Sequence, residues 1–153
     1  MVAVQRIVEA ADCRARGLPR ADFFLWNDDF EFTTRLLRGR AGLLCPGSVV
    51  THKTKAFGGT EADPGDRFFY EVRNKIWTLR TTSLAPPERL LYGGSTLRRW
   101  VRTYARSHQR QALRSALGRG LAAGLRTTPR PNDQVLPAED PEVSALLADK
   151  SVR

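Results

Sequence analysis

The stretch Trp26-Asn27-Asp28-Asp29-Phe30-Glu31 sets three carboxylates within four positions, directly behind the apolar run Phe23-Phe24-Leu25. A carboxylate held where a strand passes into a helix can accept the proton of a substrate hydroxyl, and the positive end of the helix attracts it there. Trp26, just before it, has the flat apolar face that suits a sugar ring. The same residues also have a purely structural reading. Asp28 and Glu31 stand at the offset of a capping box, a pair of side-chain bonds to the helix amino terminus worth about 1 kcal/mol. That account explains Asp28 and Glu31 and leaves Asp29 and Trp26 unexplained. His52 is the other candidate, and its spacing alone leaves it open between a packed or surface histidine and a metal ligand. No HExxH, paired CxxC, GxSxG or P-loop occurs, so serine, cysteine and zinc hydrolase chemistries lose their usual support.

The elements that must position these groups follow from periodicity. Val4, Ile7, Val8 and Ala11 share one helix face, ended by Gly17-Leu18-Pro19. Phe23 to Trp26 has the length of a strand, and strand ends are where ligands bind in α/β sheets. A helix then opens at Asp28, with Phe30, Thr33 and Leu37 on one face, Phe32 and Leu36 on another, and Gly39 or Gly42 to close it. Leu43 to Lys53 reads as two β-prone pieces around Pro46-Gly47, followed by a Gly- and Asp-rich loop. Phe68 to Thr81 predicts a helix whose stripe is Phe69, Val72, Ile76 and Leu79. Pro86-Pro87 and Gly93-Gly94 bracket a connector, and a second long helix is expected from Thr96 to about Leu117.

Charge is segregated. Between Glu88 and Arg130 there are ten arginines against one acid, Glu88, which accounts for the whole net charge of +9. Arg98, Arg102, Arg106, Arg110 and Arg114 recur every four residues, as a continuous cationic stripe would on one helix. Such a stripe suits an anionic membrane surface or the phosphates of a nucleic acid, and also has the plain reading of a solvated face. No run approaches the roughly 18 apolar residues of a membrane span, and acids fall where a signal peptide would be apolar. Cys13 and Cys45 match no disulfide or metal-finger spacing, so a reducing, cytosolic setting is expected.

Residues 17–53, GLPRADFFLWNDDFEFTTRLLRGRAGLLCPGSVVTHK, resemble the C-terminal part of the catalytic domain of family 2 glycosyltransferases, especially the rhamnosyl- and galactofuranosyltransferase branch. The Gly-Leu-Pro, the Trp-containing Asp-Asp-x-Glu segment, the later Arg, and the strand ending in His keep the family's order. Tyr70 to Lys75, YEVRNK, is similar to the Tyr-x-x-Arg-Asn helix that follows there. The resemblance covers about residues 3 to 110. It implies an α/β fold, the C-terminal fragment of a GT-A domain, with few short strands and a helix-rich extension. It further implies Asp29 as the general base of an inverting transfer, Asp28 and Trp26 beside the acceptor sugar, and His52 on a divalent cation, Mg²⁺ or Mn²⁺, that neutralises the leaving diphosphate.

Nothing in the sequence corresponds to the family's nucleotide-binding half or its Asp-x-Asp motif. The implied partners are therefore a nucleotide-sugar donor, a glycan or lipid-linked acceptor of the kind used in cell-wall polysaccharide biosynthesis, and a separate chain carrying the donor-binding half. The expected organisation is an acceptor-side part over 1–85, a basic amphipathic helical extension over 86–126, and a linker and tail over 127–153. The expected location is cytoplasmic and peripheral at the inner face of the plasma membrane. Two alternatives stand beside it: a basic nucleic-acid-binding module, and an inactive remnant that needs a partner chain. The nucleic-acid reading leaves Asp28, Asp29 and Glu31 without a role.

Overall fold

The computed structural model describes residues 2–3, 10–43, 46–47, 49–51, 63–81 and 83–136. Six helices carry the described architecture: α1 (Ala10–Arg16), α2 (Asp28–Leu37), α3 (Phe68–Arg80), α4 (Pro86–Arg106), α5 (Arg110–Arg126) and α6 (Asn132–Val135). The described strands β1 (Val2–Ala3) and β2 (Val50–Thr51) form one antiparallel pair of two residues each. The α/β expectation is thereby overturned, because no layered sheet exists among the described residues and the core lies between helices.

That core is the contact of α3 with α5. Phe68, Val72 and Ile76 repeat at four-residue spacing along α3, and Leu113 and Ala116 meet them from α5, all buried. Small residues at positions 116, 120 and 124 let the two backbones approach closely. A methyl group built on Gly120 would lie 2.7 Å from Val72 Cβ and 3.0 Å from the carbonyl oxygen of Phe69, and one on Gly124 would lie 2.8 Å from Ile76 Cβ. Gly118 of the same helix has nothing within 4 Å of that position. Gly120→Ala should therefore cost about 1–3 kcal/mol by overpacking, whereas Gly118→Ala should stabilise by up to about 1 kcal/mol through helix propensity. Urea unfolding of the two variants measures the difference; equal midpoints would refute the close crossing.

α4 and α5 replace the single arginine-rich helix that periodicity suggests. Pro86 and Pro87 are not a connector but the first turn of α4, where a missing N–H costs nothing, and the Glu88 carboxylate accepts from the amide of Ala85 at 2.7 Å. Gly93 and Gly94 continue as helix. The chain breaks instead at residues 107–109. There the Asp63 carboxylate accepts from the Ser107 hydroxyl at 2.7 Å and from the amides of His108 at 3.1 Å and Gln109 at 3.3 Å. A distant carboxylate thus satisfies amides that the start of α5 would otherwise leave open.

The other end of α5 is closed by α3: Arg80 donates to the carbonyls of Gly124 and Thr127, and Trp77 Nε1 donates to Thr127 at 3.0 Å. Residues following α5 then return to the front of the molecule. Buried Asn132 donates to the Pro19 carbonyl at 2.8 Å and accepts from the Ala21 amide at 2.9 Å, and Arg130 pairs with Asp22 at 2.9 Å. The described part of the expected linker, up to residue 136, is therefore docked.

Two of these ties are titratable. The Ser107 hydroxyl, with the amides of Gly65, His108 and Gln109, holds the Asp63 carboxyl below its ordinary value of 3.8. Burial pushes Asp22 upward, but its bonds to Arg130 and the charges of Arg130 and Arg73 outweigh this and leave it lowered. A carboxyl depressed in the native state stabilises the fold fully above the unfolded value and loses that contribution as pH falls through the native one. Thermal midpoints should therefore decline on acidification below about pH 4, and Asp63→Asn should flatten that decline; a variant with an unchanged slope would refute the tie.

Candidate acidic site at the start of helix α2

The loop before α2 is built on three non-glycine residues in the left-handed region, Phe24 (φ 58°), Trp26 (φ 63°) and Asn27 (φ 65°). The strand expected over Phe23 to Trp26 is not formed: a short 3₁₀ turn, Ala21–Phe23, passes into this folded loop. One side chain explains how such backbone is held. Asn74, fully buried on α3, has its Nδ2 at 2.8 Å from the carbonyl oxygen of Phe23 and at 2.9 Å from those of Leu25 and Trp26. Its two N–H hydrogens serve three carbonyls that all converge on it. Arg73 adds a bond to the Asp22 carbonyl at 2.6 Å, and its guanidinium lies 4.1 Å over the Trp77 ring. Backbone in sparsely populated conformations persists where its surroundings over-determine it, and it gathers at functional sites.

α2 starts from this loop with Asp28 and Asp29 in its first turn. Asp29 is exposed, and its Oδ1 accepts from the Phe30 amide at 2.7 Å. Asp28 and Trp26 are half-buried beside it. The structure thus brings Trp26, Asp28 and Asp29 together at one helix end. His52 lies outside the described residues.

The capping box is not formed. Asn27, not Asp28, precedes the helix, and its side chain donates to Glu71 Oε2 at 3.2 Å instead of capping. Glu31 turns inward and is fully buried: Arg35 grips it with Nε at 3.0 Å and Nη2 at 3.3 Å, Ser83 donates to it at 2.9 Å, and the Arg20 Nε lies at 3.5 Å. Arg35 also reaches the carbonyls of Arg16, Gly17 and Leu18, so this pair ties α1 to α2. Glu31 is a structural node, separate from the exposed Asp29.

A polar cluster supports the site from behind. Glu71 faces Lys75 at 3.6 Å and Arg99 at 3.3 Å. The Tyr92 ring stacks on Phe30 at 4.8 Å, 6° from parallel, with Lys75 Nζ 4.7 Å above it. Burial, then the negative charge of Glu71, raises the Tyr92 phenol far above its ordinary value, so it stays protonated. Tyr92 and Arg99 escape a sequence reading that places Gly93-Gly94 in a connector. The signal that could have found them is Pro at the first helical position with Glu two residues later, a helix start that carries 92, 96 and 99 onto one face.

As for a divalent cation, no group of three His, Cys, Asp or Glu side chains among the described residues is placed to hold one. Asp28 and Asp29 are adjacent on a helix, their side chains about 100° apart, and Asp29 already accepts from Phe30. These carboxylates do not fit a metal site by themselves, and no chemical step is assigned to a metal.

No protein family, curated protein or solved structure matches this chain. Its reading rests on the geometry and on the motifs themselves.

Proposed function

We propose that the start of α2 is the acceptor-side catalytic element of an inverting glycosyltransferase that uses a nucleoside-diphosphate sugar. The observation that carries this is the contact between two separate motifs. The Arg73-Asn74 pair of the YEVRNK helix holds the carbonyls of Asp22, Phe23, Leu25 and Trp26, the segment that leads directly into Asp28 and Asp29 in the first turn of α2, where Asp29 is exposed. Asp29 is the base. It takes the proton of an acceptor hydroxyl while that oxygen bonds to the anomeric carbon of the donor, and the bond from that carbon to the diphosphate oxygen breaks with inversion. Trp26 and Asp28 border the acceptor sugar. Binding of the nucleoside diphosphate falls to a donor-binding segment other than the residues described above.

The decisive assay supplies this chain together with such a segment, offers a panel of nucleoside-diphosphate sugars with glycan and lipid-linked acceptors, and scores acceptor mass. Turnover that requires residues 23–37 supports the reading. A donor segment that turns over equally well without them overturns it.

A further inference from the structure

We propose that the outer face of α4 docks on an anionic lipid surface. This is independent of the sugar-transfer reading. On α4, Leu90 (80% exposed), Leu97 (62%) and Val101 (61%) fall on one line of the helix, far outside the core. Leu91 (75% exposed), Arg98 and Arg102 follow the same spacing one residue later, so the arginines border the apolar line about 100° round the axis. Arg106, a turn further on, lies about 160° round the axis from Leu90 and falls outside this border. Trp100 and Tyr104, along the opposite edge of the line, pack against the α3–α5 core, with Trp100 edge-on to Phe68 at 6.3 Å, and so seat α4 with its apolar line turned outward. A helix of about 30 Å with this cross-section lies in the interface plane, with leucines among acyl chains and guanidinium groups on phosphates. No described helix is long and apolar enough to cross a membrane.

The structure also narrows which arginines act. Arg110 and Arg114 lie over the Tyr104 ring at 5.7 and 5.5 Å, which keeps them at the α4–α5 corner, and Arg119 pairs with Asp66 at 3.0 Å. The stripe from Arg98 to Arg114 is therefore not continuous; its lipid-facing part is Arg98 and Arg102. A second copy of the chain is a poor occupant. Glu88 is the only acid of α4 and is bonded at its first turn, so two such faces would set arginine against arginine. Nucleic acid would use the arginines and leave four large apolar side chains in water.

Co-sedimentation with vesicles of phosphatidylglycerol and phosphatidylcholine in equal parts, against phosphatidylcholine alone, tests this. The wild-type chain should bind only the anionic vesicles and should be released by high salt. Changing Arg98 and Arg102 together to Gln should weaken partitioning on the order of 25-fold, roughly fivefold per arginine. Changing Leu90, Leu97 and Val101 together to Gln should abolish it with the far-ultraviolet spectrum unchanged. Equal binding to neutral vesicles, or salt-resistant binding by the wild type, would overturn the proposal. So would full binding by the leucine variant, a wild-type dimer without vesicle binding, or retention on duplex DNA alone.

Discussion

Asp29→Asn should reduce sugar transfer by on the order of 10²–10⁴-fold, the contribution of a positioned general base, while leaving the unfolding midpoint nearly unchanged. The two halves of this expectation have separate causes. Asn keeps the shape of Asp and still offers an oxygen to the Phe30 amide, the bond that Asp29 makes at 2.7 Å. The side chain is exposed, so nothing in the core moves. What is lost is the capacity to hold a proton taken from the acceptor hydroxyl, and that loss enters the transition state directly. The loss should therefore fall on kcat, with acceptor KM nearly constant. Asp28→Asn should act mainly on acceptor KM if, as proposed, Asp28 borders the acceptor without taking its proton. Undiminished turnover in the Asp29 variant, or a loss matched by unfolding, would remove the base assignment.

Glu31→Gln should do the reverse and destabilise the fold by about 3–5 kcal/mol, the range for removing one partner of a buried ion pair. Glu31 is fully buried, with Arg35, Arg20 and Ser83 around its carboxylate. The amide keeps the volume and can still accept from Ser83. It cannot neutralise two buried guanidinium groups, and its NH₂ points donors at donors. A loss of that size is a large share of the 5–15 kcal/mol that holds a typical domain together. Urea unfolding followed by circular dichroism reads it, and a change below about 1 kcal/mol would show that the pair is not a determinant of stability. Three carboxylates within four positions would then divide cleanly by experiment: one for the fold, two for the site.

That division marks the boundary of what the sequence reveals. The helices α2 and α3 were legible because their signals are local: a 3.6-residue apolar period and Gly39, whose φ of 74° closes α2. The segregation of all net positive charge between residues 88 and 130 was legible for the same reason. The contact that makes the site was not. Phe23 to Trp26 has strand composition, and it is the Asn74 amide, 48 to 51 positions away, that together with Arg73 holds it as a folded loop. Likewise the helix break at 107–109 follows from Asp63, 44 positions earlier, and nothing in the periodicity of the arginines records it.

By itself, then, the sequence determined that α2 and α3 become helix, that the chain is strongly basic in one region, and which three acids are set side by side. Tertiary structure alone decided that Glu31 is buried and Asp29 exposed, that α4 turns its leucines outward, and that Gly120 must lack a side chain. The physical reason is range. Propensity and periodicity act over a turn or two, whereas desolvation, buried ion pairs and backbone contact depend on which distant element arrives at the same place.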